Sequence, residues 1–276
     1  MTPSPYAARR AAFRKLHESG CFLIPNPWDV GSARALEKLG FKALATTSSG
    51  FAWSRAHADN TMDVEAVLAH CREIVEATGL PVNADFEDGH ARDLDGLKKN
   101  VRRCVETGVA GLSIEDSTGD ASQPLYDFDE AVARMRAARA AIDGSGEDVL
   151  LIGRAECFLV GHADPLNESV KRLHAYAEAG ADCLYAPGAG KPEQIETIVG
   201  AVAPKPVNVL VGRPAPYTLA DLAKLGVRRV CVGGALAGAA WGGFLRAARS
   251  LAEGRFDGFA DNATHAELNA LAKQAP

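Results

Sequence analysis

The strongest constraint on the fold of this chain is the alternation of short apolar runs with longer segments that carry apolar residues at helical spacing. Strands that are apolar almost throughout and separated by helices indicate a parallel sheet covered on its outer face. Eight such units favour a closed (β/α)8 TIM barrel over an open sheet. The eight predicted strands are Cys21–Pro25, Ala43–Thr47, Pro81–Asp85, Gly111–Glu115, Val149–Glu156, Cys183–Ala186, Pro206–Leu210 and Arg229–Val232.

Helices are predicted between these strands, and a glycine follows several of them, for example Gly108 and Gly180, as suits a left-handed turn at a helix C-terminus. Two further helical segments fall outside the eightfold pattern, Pro5–Ser19 and Thr264–Ala272. We therefore expect one barrel domain over residues 1–276 with an extra C-terminal helix at about 259–276. The helices between strands are expected at Val30–Leu39, Val64–Ala77, Leu94–Glu106, Asp129–Ile142, Leu166–Ala179 and Pro192–Ala203.

Composition excludes several classes of function. The net charge of −5 offers no basic field for a nucleic acid. The basic N-terminal stretch is followed by no long apolar segment, so we expect neither a signal peptide nor a membrane span, and a cytoplasmic location. The six cysteines show neither paired nor metal-ligand spacing, so a disulfide framework is not expected.

In a parallel barrel the active site lies at the carboxyl ends of the strands, which restricts the search to residues just after each apolar run. Asp85 and Glu115 end neighbouring predicted strands, where their carboxylates can share a hard divalent ion. Oxygen ligands of this kind favour magnesium over zinc. The alternative is that these acidic residues only cap the helices that follow.

Other polar residues stand at the same end of the predicted barrel. Arg154 lies within an apolar run, so it is either part of an ion pair with Glu115 or Glu156, or a ligand for a substrate carboxylate or an enolate oxygen. His90 follows an acidic segment that is expected to raise its basicity and suit it to proton transfer. The turn at Ser49 and Gly50 offers backbone N–H groups to an anion, and Trp28 and Asn208 are further strand-end candidates for substrate binding.

Several of these segments resemble the isocitrate lyase/phosphoenolpyruvate mutase superfamily, and the resemblance extends over nearly the whole chain. The segments that carry it are Pro25-Asn26-Pro27-Trp28-Asp29, Ser48-Ser49-Gly50, Asn83-Ala84-Asp85, Ser113-Ile114-Glu115-Asp116 and Gly153-Arg154-Ala155-Glu156.

The resemblance implies a magnesium- or manganese-dependent barrel that forms an enolate from a small carboxylate substrate. It also implies a homodimer or homotetramer in which the eighth helix is exchanged between subunits. By position, Asp85, Glu115 and Asn83 belong to the metal site, with Asp59 as a further acidic group. Ser49, Gly50 and Phe51 would hold a substrate carboxylate through backbone N–H groups, and Arg154 would bind the oxyanion.

The chain also departs from the superfamily pattern. Asn83 stands where an aspartate is usual, and the loop from Ser117 to Pro124 lacks the Lys-x-Cys-Gly-His sequence of isocitrate and methylisocitrate lyases. Isocitrate lyase activity is therefore not expected. The same loop lacks the lysine- and asparagine-containing pattern of the phosphonopyruvate branch. Its Gly, Ser and Pro content over Ser117–Tyr126 is typical of a mobile lid.

The leading hypothesis is a metal-dependent carbon–carbon lyase or decarboxylase acting on a small 2-oxo or 2-hydroxy (di)carboxylic acid. Phosphonopyruvate or phosphoenolpyruvate chemistry remains an alternative. Another alternative reads Gly233-Gly234 as a phosphate site, which would indicate a barrel that processes phosphate esters. A third is a barrel that has lost catalysis and only binds a metabolite.

Overall fold

The computed structural model of the chain describes residues 4–272, and the part of the expected C-terminal helix at 273–276 lies outside the described residues. Eight parallel strands form one sheet in the order β1-β8-β7-β6-β5-β4-β3-β2. The predicted TIM barrel is confirmed. The strands are β1 Phe22–Ile24, β2 Leu44–Ala45, β3 Val82–Asp85, β4 Gly111–Glu115, β5 Leu150–Arg154, β6 Cys183–Tyr185, β7 Val207–Leu210 and β8 Arg229–Cys231.

The barrel closes between β1 and β2 through side-chain and loop contacts. The N–H of Ala45 donates to the carbonyl of Pro25 at 3.1 Å. Asn26, directly after β1, donates from its side-chain amide to the carbonyl of Thr46 at 2.9 Å. Its amide oxygen accepts from the N–H groups of Val232 at 3.0 Å and Gly233 at 2.9 Å. One buried asparagine thereby ties β1 to both of its neighbours, β2 and β8.

Helices surround the strands and carry most of the apolar surface that faces them. All six helices predicted between the strands begin within one residue of the predicted position, and α4 and α5 match at both ends. The helices are α1 Ala7–Leu16, α2 Val30–Lys38, α3 Ser48–Ser54, α4 Val64–Ala77, α5 Leu94–Glu106, α6 Phe128–Asp143, α7 Pro165–Glu178, α8 Pro192–Val202, α9 Leu219–Lys224, α10 Ala235–Ala252 and α11 His265–Ala272.

Helix α1 covers the amino end of the barrel. Phe13 is completely buried and packs with the side chains that fill the barrel interior, including Ile24, Ala110 and Ile152. The buried Arg10 donates to the carbonyls of Val109 at 3.0 Å and Val105 at 2.9 Å. Among the described residues, these contacts close the amino end of the barrel.

The structure differs from the sequence predictions at α3. The segment after β2 was expected to be a turn, but it forms a short helix whose N-cap, Thr47, accepts a hydrogen bond from Gly50 N–H at 3.3 Å. Phe51 of this helix is buried and stacks on His70 of α4, with ring centroids 4.0 Å apart. Packing of this kind outweighs the turn preference of a Ser-Ser-Gly sequence. Within the described residues, no helix is long and apolar enough to span a bilayer.

Candidate active site

Arg154 lies at the centre of a cluster of carboxylates at the carboxyl ends of β3, β4 and β5. Its Nη1 atom lies 3.2 Å from Oδ1 of Asp85 and 3.1 Å from Oε2 of Glu115. Its Nε donates to Glu156, two residues further along the chain. The register of the sheet explains this arrangement, since Glu115 is directly opposite Arg154 in the β4–β5 pair. The ion-pair interpretation of Arg154 is therefore confirmed, and the ion-paired guanidinium lies at the end of the barrel where the site was predicted.

More acidic groups surround Arg154 than its single positive charge can balance. Burial, and then Asp85, Asp59 and Asp88, together raise the pKa of Glu87 to about 8. Burial also raises the pKa of Glu115 well above its usual range, although Arg154 opposes the shift. The pKa of Asp59 is raised by desolvation and by its neighbour Asp85. The cluster therefore holds more carboxyl groups than Arg154 can pair, and an additional cation would stabilise their charged forms.

A second buried network fixes the position of Glu156, and through it Arg154. The Oδ1 atom of Asp116 accepts from the backbone N–H of Glu156 at 2.8 Å. Its Oδ2 accepts from Nη1 of Arg172 at 3.1 Å and from the hydroxyl of Tyr176 at 2.6 Å. Both of these donors belong to α7. Asp116 is therefore a structural anchor that joins β4, β5 and α7, a role that its position in the sequence did not reveal.

The N-terminus of α3 contacts the acidic cluster. The N–H of Ser48 donates to Oδ2 of Asp85 at 3.0 Å. The N–H groups of Gly50 and Phe51, expected to hold a substrate carboxylate, instead donate to the side chain and the carbonyl of Thr47. Ser49 lies against Gly234, where an added Cβ would be 2.7 Å from the Ser49 hydroxyl oxygen. Of the three predicted carboxylate-binding residues, only Ser49 lines the large cavity described below.

Two predicted site residues lie one layer deeper in the barrel. Asn83, two residues before Asp85 on β3, accepts from Nη1 of Arg229 at 3.4 Å. Asn208 accepts from Nε of the same guanidinium at 2.9 Å and donates to the sulfur of Cys231 at 3.2 Å. Both amides are buried. The structure thus groups Asn83 and Asn208 around Arg229 and not with Asp85, Glu115 and Arg154.

His90 and Trp28 also differ from what was expected of them. The expectation that acidic neighbours raise the basicity of His90 is wrong: burial lowers its pKa and outweighs the opposing effects of Asp88 and Asp85. His90 remains near the cluster, with Nδ1 3.8 Å from a carboxylate oxygen of Glu87. Trp28 lines a separate, shallow cavity together with Trp241 and Phe244 of α10.

A cavity of about 1010 Å³ opens at the carboxyl end of the barrel. Its walls come from segments that follow β2, β5, β6, β7 and β8, and Asp59 and Ser49 are among the residues that line it. A smaller cavity of about 350 Å³ lies on the other side of the acidic cluster and is lined by Glu87, Glu115 and the start of the loop from Ser117. Glu87 and Glu115 therefore face the smaller cavity, and Asp59 faces the larger one.

The loop expected to act as a lid is anchored at both ends. Ser117 and Leu125 form an antiparallel bridge. The Tyr126 hydroxyl donates to Oδ2 of Asp88 at 2.8 Å. Between these anchors, residues 119–123 are exposed.

The glycine pair Gly233-Gly234, proposed as a phosphate site, is only partly available to a ligand, because Gly233 N–H donates a hydrogen bond to the side chain of Asn26.

The donor chemistry of the cluster fits a magnesium or manganese ion that keeps part of its water shell. Asp59, Asp85, Glu87 and Glu115 offer only oxygen ligands, and their mutual repulsion would be relieved by a divalent cation. In residues 4–272, no group of three acidic, histidine or cysteine side chains is arranged closely enough to hold an ion by itself. Water and substrate oxygens would therefore complete the coordination shell.

Comparison with known proteins agrees with this site. Residues 13–252 match the family described as phosphoenolpyruvate phosphomutase. The oxaloacetate decarboxylase of Paraburkholderia xenovorans is 30% identical over 234 residues, which cover 82% of this chain and 75% of that protein. A crystal structure provisionally assigned as a lyase/mutase from Burkholderia cenocepacia J2315 is 44% identical, covers 96% of both chains and superimposes with a TM-score of 0.92.

A crystal structure of oxaloacetate acetylhydrolase with its product oxalate is 25% identical, with a TM-score of 0.86 over 98% of this chain and 95% of that chain. The family match covers most of the chain, and the two solved structures superimpose on it over nearly their whole length. The resemblance inferred from the sequence motifs is therefore confirmed, and this chain belongs to the phosphoenolpyruvate phosphomutase family of the isocitrate lyase/phosphoenolpyruvate mutase superfamily.

Proposed function

We propose that this protein is a divalent-metal-dependent carbon–carbon lyase or decarboxylase that acts on a 2-oxo or 2-hydroxy (di)carboxylic acid through an enolate. The observation that carries the proposal is the contact of Arg154 with both Asp85 and Glu115 at the open end of the barrel. This arrangement places a fixed cation beside a cluster of oxygen ligands, where an enolate oxygen can be stabilised. The similarity to an oxaloacetate decarboxylase supports this reaction class.

Asp85 and Glu115 are the residues proposed to hold the metal ion, directly or through water. When bound, the ion would polarise the 2-oxo group of the substrate. Asn83 is not included, because its amide is engaged with Arg229. Magnesium and manganese both suit these oxygen ligands.

Arg154 is proposed to bind the oxygen that becomes negatively charged when the carbon–carbon bond breaks. Its Nη1 and Nε atoms are committed to Asp85, Glu115 and Glu156, whereas Nη2 donates no hydrogen bond to any described residue. The three carboxylates hold the guanidinium in place before the substrate arrives, so little reorganisation is needed during the reaction. A fixed donor of this kind stabilises the transition state more than the ground state.

The proton that ends the reaction must reach the enolate carbon from a group at the cavity. We keep Asp59 and not His90 as the proposed proton carrier, because only Asp59 lines the large cavity. Ser49 lines the same cavity and is proposed to contact the substrate carboxylate. The exposed residues 119–123 are proposed to close over the bound substrate and exclude water.

The test is a turnover assay with oxaloacetate and a panel of substituted 2-oxo and 2-hydroxy dicarboxylates, phosphonopyruvate and phosphoenolpyruvate. Each compound is assayed with magnesium, with manganese and with a chelator. We expect cleavage that requires the metal and is lost in Asp85→Ala. Asp95→Ala is the matched control, because Asp95 is 93% exposed on α5 and its ion pair is with Lys98 of the same helix.

Phosphorus–carbon turnover in place of carbon–carbon cleavage would overturn the lyase proposal in favour of mutase chemistry. Metal-independent cleavage would overturn the role given to Asp85 and Glu115. Absence of turnover across the whole panel by a folded protein would favour a barrel that binds a metabolite without catalysis.

We also propose a cytoplasmic homodimer or homotetramer in which α10 packs against a partner subunit. Five large apolar side chains of this helix are exposed in the single chain, and they include Trp241 at 37%, Phe244 at 59% and Leu245 at 41%. A contiguous apolar surface of this kind is more often a protein interaction site than a surface that stays exposed to solvent.

A further inference from the structure

The large cavity carries information about the substrate that the acidic cluster does not. The cluster accounts for the reacting carboxylate end of a substrate, and one of its members, Asp59, also lines a space of about 1010 Å³. Oxaloacetate has about nine non-hydrogen atoms and would fill less than roughly 270 Å³, if each atom took the volume of one liquid water molecule. Most of the cavity would then remain open beside such a substrate.

The walls of the remaining space are mainly apolar. Trp53 comes from α3, and Phe158 and Leu159 follow β5. Leu210 ends β7, Tyr217 precedes α9, and Val232 follows β8. Six apolar or aromatic side chains from four separate segments therefore surround the space: Trp53, Phe158, Leu159, Leu210, Tyr217 and Val232.

Charge in the walls is balanced. Among the described residues that line the cavity, Asp59 and Arg213 are the only ones with charged side chains, and their charges are opposite. The walls therefore carry no excess of positive or negative charge that would attract a second charged group of the substrate. The cavity is suited to a neutral, apolar group.

We propose that the preferred substrate is a 2-oxo or 2-hydroxy acid that carries a bulky apolar substituent, of branched-alkyl or aryl size, and that this cavity binds the substituent. The inference rests on the proposed function of the acidic cluster and specifies the substrate class of the same site. Leu159, Trp53 and Phe158 are the side chains assigned to selectivity. Burial of each methylene should improve affinity by about three- to fourfold.

Binding of 2-oxo acids that lack a scissile group tests the proposal without requiring turnover. Dissociation constants for pyruvate, 2-oxohexanoate and phenylpyruvate are measured by calorimetry in the presence of magnesium. We expect the dissociation constant to fall at least tenfold from pyruvate to phenylpyruvate, with 2-oxohexanoate between them. Equal or weaker binding of phenylpyruvate would overturn the proposal.

Two variants show whether this cavity is responsible. Leu159→Asn makes an exposed wall residue polar and should remove most of the preference for phenylpyruvate. Leu39→Asn should not, because Leu39 is also exposed but lies on the amino side of the barrel. Gly238→Phe adds a ring at a cavity-lining glycine whose Cβ would meet no atom within 4 Å. This variant should also reduce the preference, and Gly238→Ala should retain it.

A preference that survives both cavity variants would overturn the assignment to this cavity. The outcome is separable from the proposed function, because metal-dependent turnover is measured in the substrate panel and apolar selectivity in these binding experiments. Failure of turnover with retained selectivity would leave a binding barrel, and turnover without selectivity would leave a lyase for small acids.

Discussion

The guanidinium of Arg154 lies 3.2 Å from the carboxylate of Asp85, across the strand that separates β5 from β3. Glu115 occupies the intervening strand and contacts the same Nη1 atom at 3.1 Å. The last residues of the three adjacent strands β3, β4 and β5 are therefore in contact with one another. Because breaking a buried ion pair leaves an uncompensated charge, these side chains are expected to depend on each other for position.

Substitution of Arg154 tests its role at that point. We expect Arg154→Gln to lower kcat about 100- to 1000-fold, the usual cost of removing one oxyanion donor. Arg154→Lys should recover only part of the loss, because an ammonium group cannot reproduce the planar contacts to three carboxylates. Steady-state kinetics on the substrate identified by the panel measures both, and Arg102→Gln on the exposed side of α5 is the control. Wild-type kcat in Arg154→Gln would exclude the assigned role.

Asp116 is expected to matter for stability. Asp116→Asn removes a buried charge that accepts hydrogen bonds from Glu156 N–H, Arg172 and Tyr176. Arg172 would then lose one of its buried carboxylate partners, so we expect the free energy of unfolding to fall by about 3 kcal/mol. Tyr176→Phe removes a single hydrogen bond and should cost about 1 kcal/mol. Urea denaturation separates the two values, and equal losses in both variants would contradict the anchor role.

His70 makes stability depend on pH on the acidic side. Burial and then Arg55 lower its pKa to about 4, whereas Asp29 opposes the shift. An unfolded histidine titrates near about 6.5. As pH falls from 6.5 towards 4, the unfolded chain therefore takes up a proton that the folded chain does not, and the free energy of unfolding falls by up to about 1.4 kcal/mol per pH unit.

The variant His70→Phe should reduce that slope while keeping the ring stacked on Phe51. The Nε2 atom of His70 has no hydrogen-bond partner among the described residues, so the substitution loses no bond there. Urea denaturation at pH 7, 6 and 5 gives the slope, and His174→Phe, on the exposed surface of α7, is the control. An unchanged slope in His70→Phe would show that the acid sensitivity arises elsewhere.

Divalent ions should stabilise the folded protein independently of turnover. At 100 times its dissociation constant, a ligand that binds only the folded state adds about 2.7 kcal/mol. We expect magnesium and manganese to raise the melting temperature, and Glu115→Gln to reduce the rise. Glu65→Gln is the control, because Glu65 is exposed and pairs with Arg103 on the outer helices. A rise of equal size in all three proteins would place the ion away from the cluster.

The fold was predictable because each strand and helix leaves a local pattern in the sequence. The prediction for Gly111–Glu115 matches β4 at both ends, and those for Val64–Ala77 and Leu94–Glu106 match α4 and α5. Helix α3 was not predicted, because it depends on the Thr47 cap and on the contact of Phe51 with His70. Such contacts join residues distant in sequence and leave no periodic signal.

The candidate site was predictable to the same extent. Asp85, Glu115 and Arg154 were found because a parallel barrel brings strand ends together. Depth along a strand was harder to predict. Asn83 lies two residues before Asp85 on β3, and its amide oxygen accepts a hydrogen bond from Arg229, 146 residues later. The pKa of His90 was misjudged because acidic neighbours are visible in the sequence and burial is not.

The apolar surface of α10 yields the last prediction. Trp241 and Phe244 form an edge-to-face pair with ring centroids 5.5 Å apart, and Phe244 is 59% exposed. If this face packs against a second copy of the chain, Phe244→Asp buries a charge at the interface and should shift the protein towards monomers in light scattering. Leu94→Asp, on the outer helix α5, should leave the mass unchanged. A monomeric wild type would exclude the exchange of α10, whereas a dimer unaffected by Phe244→Asp would place the interface on another surface.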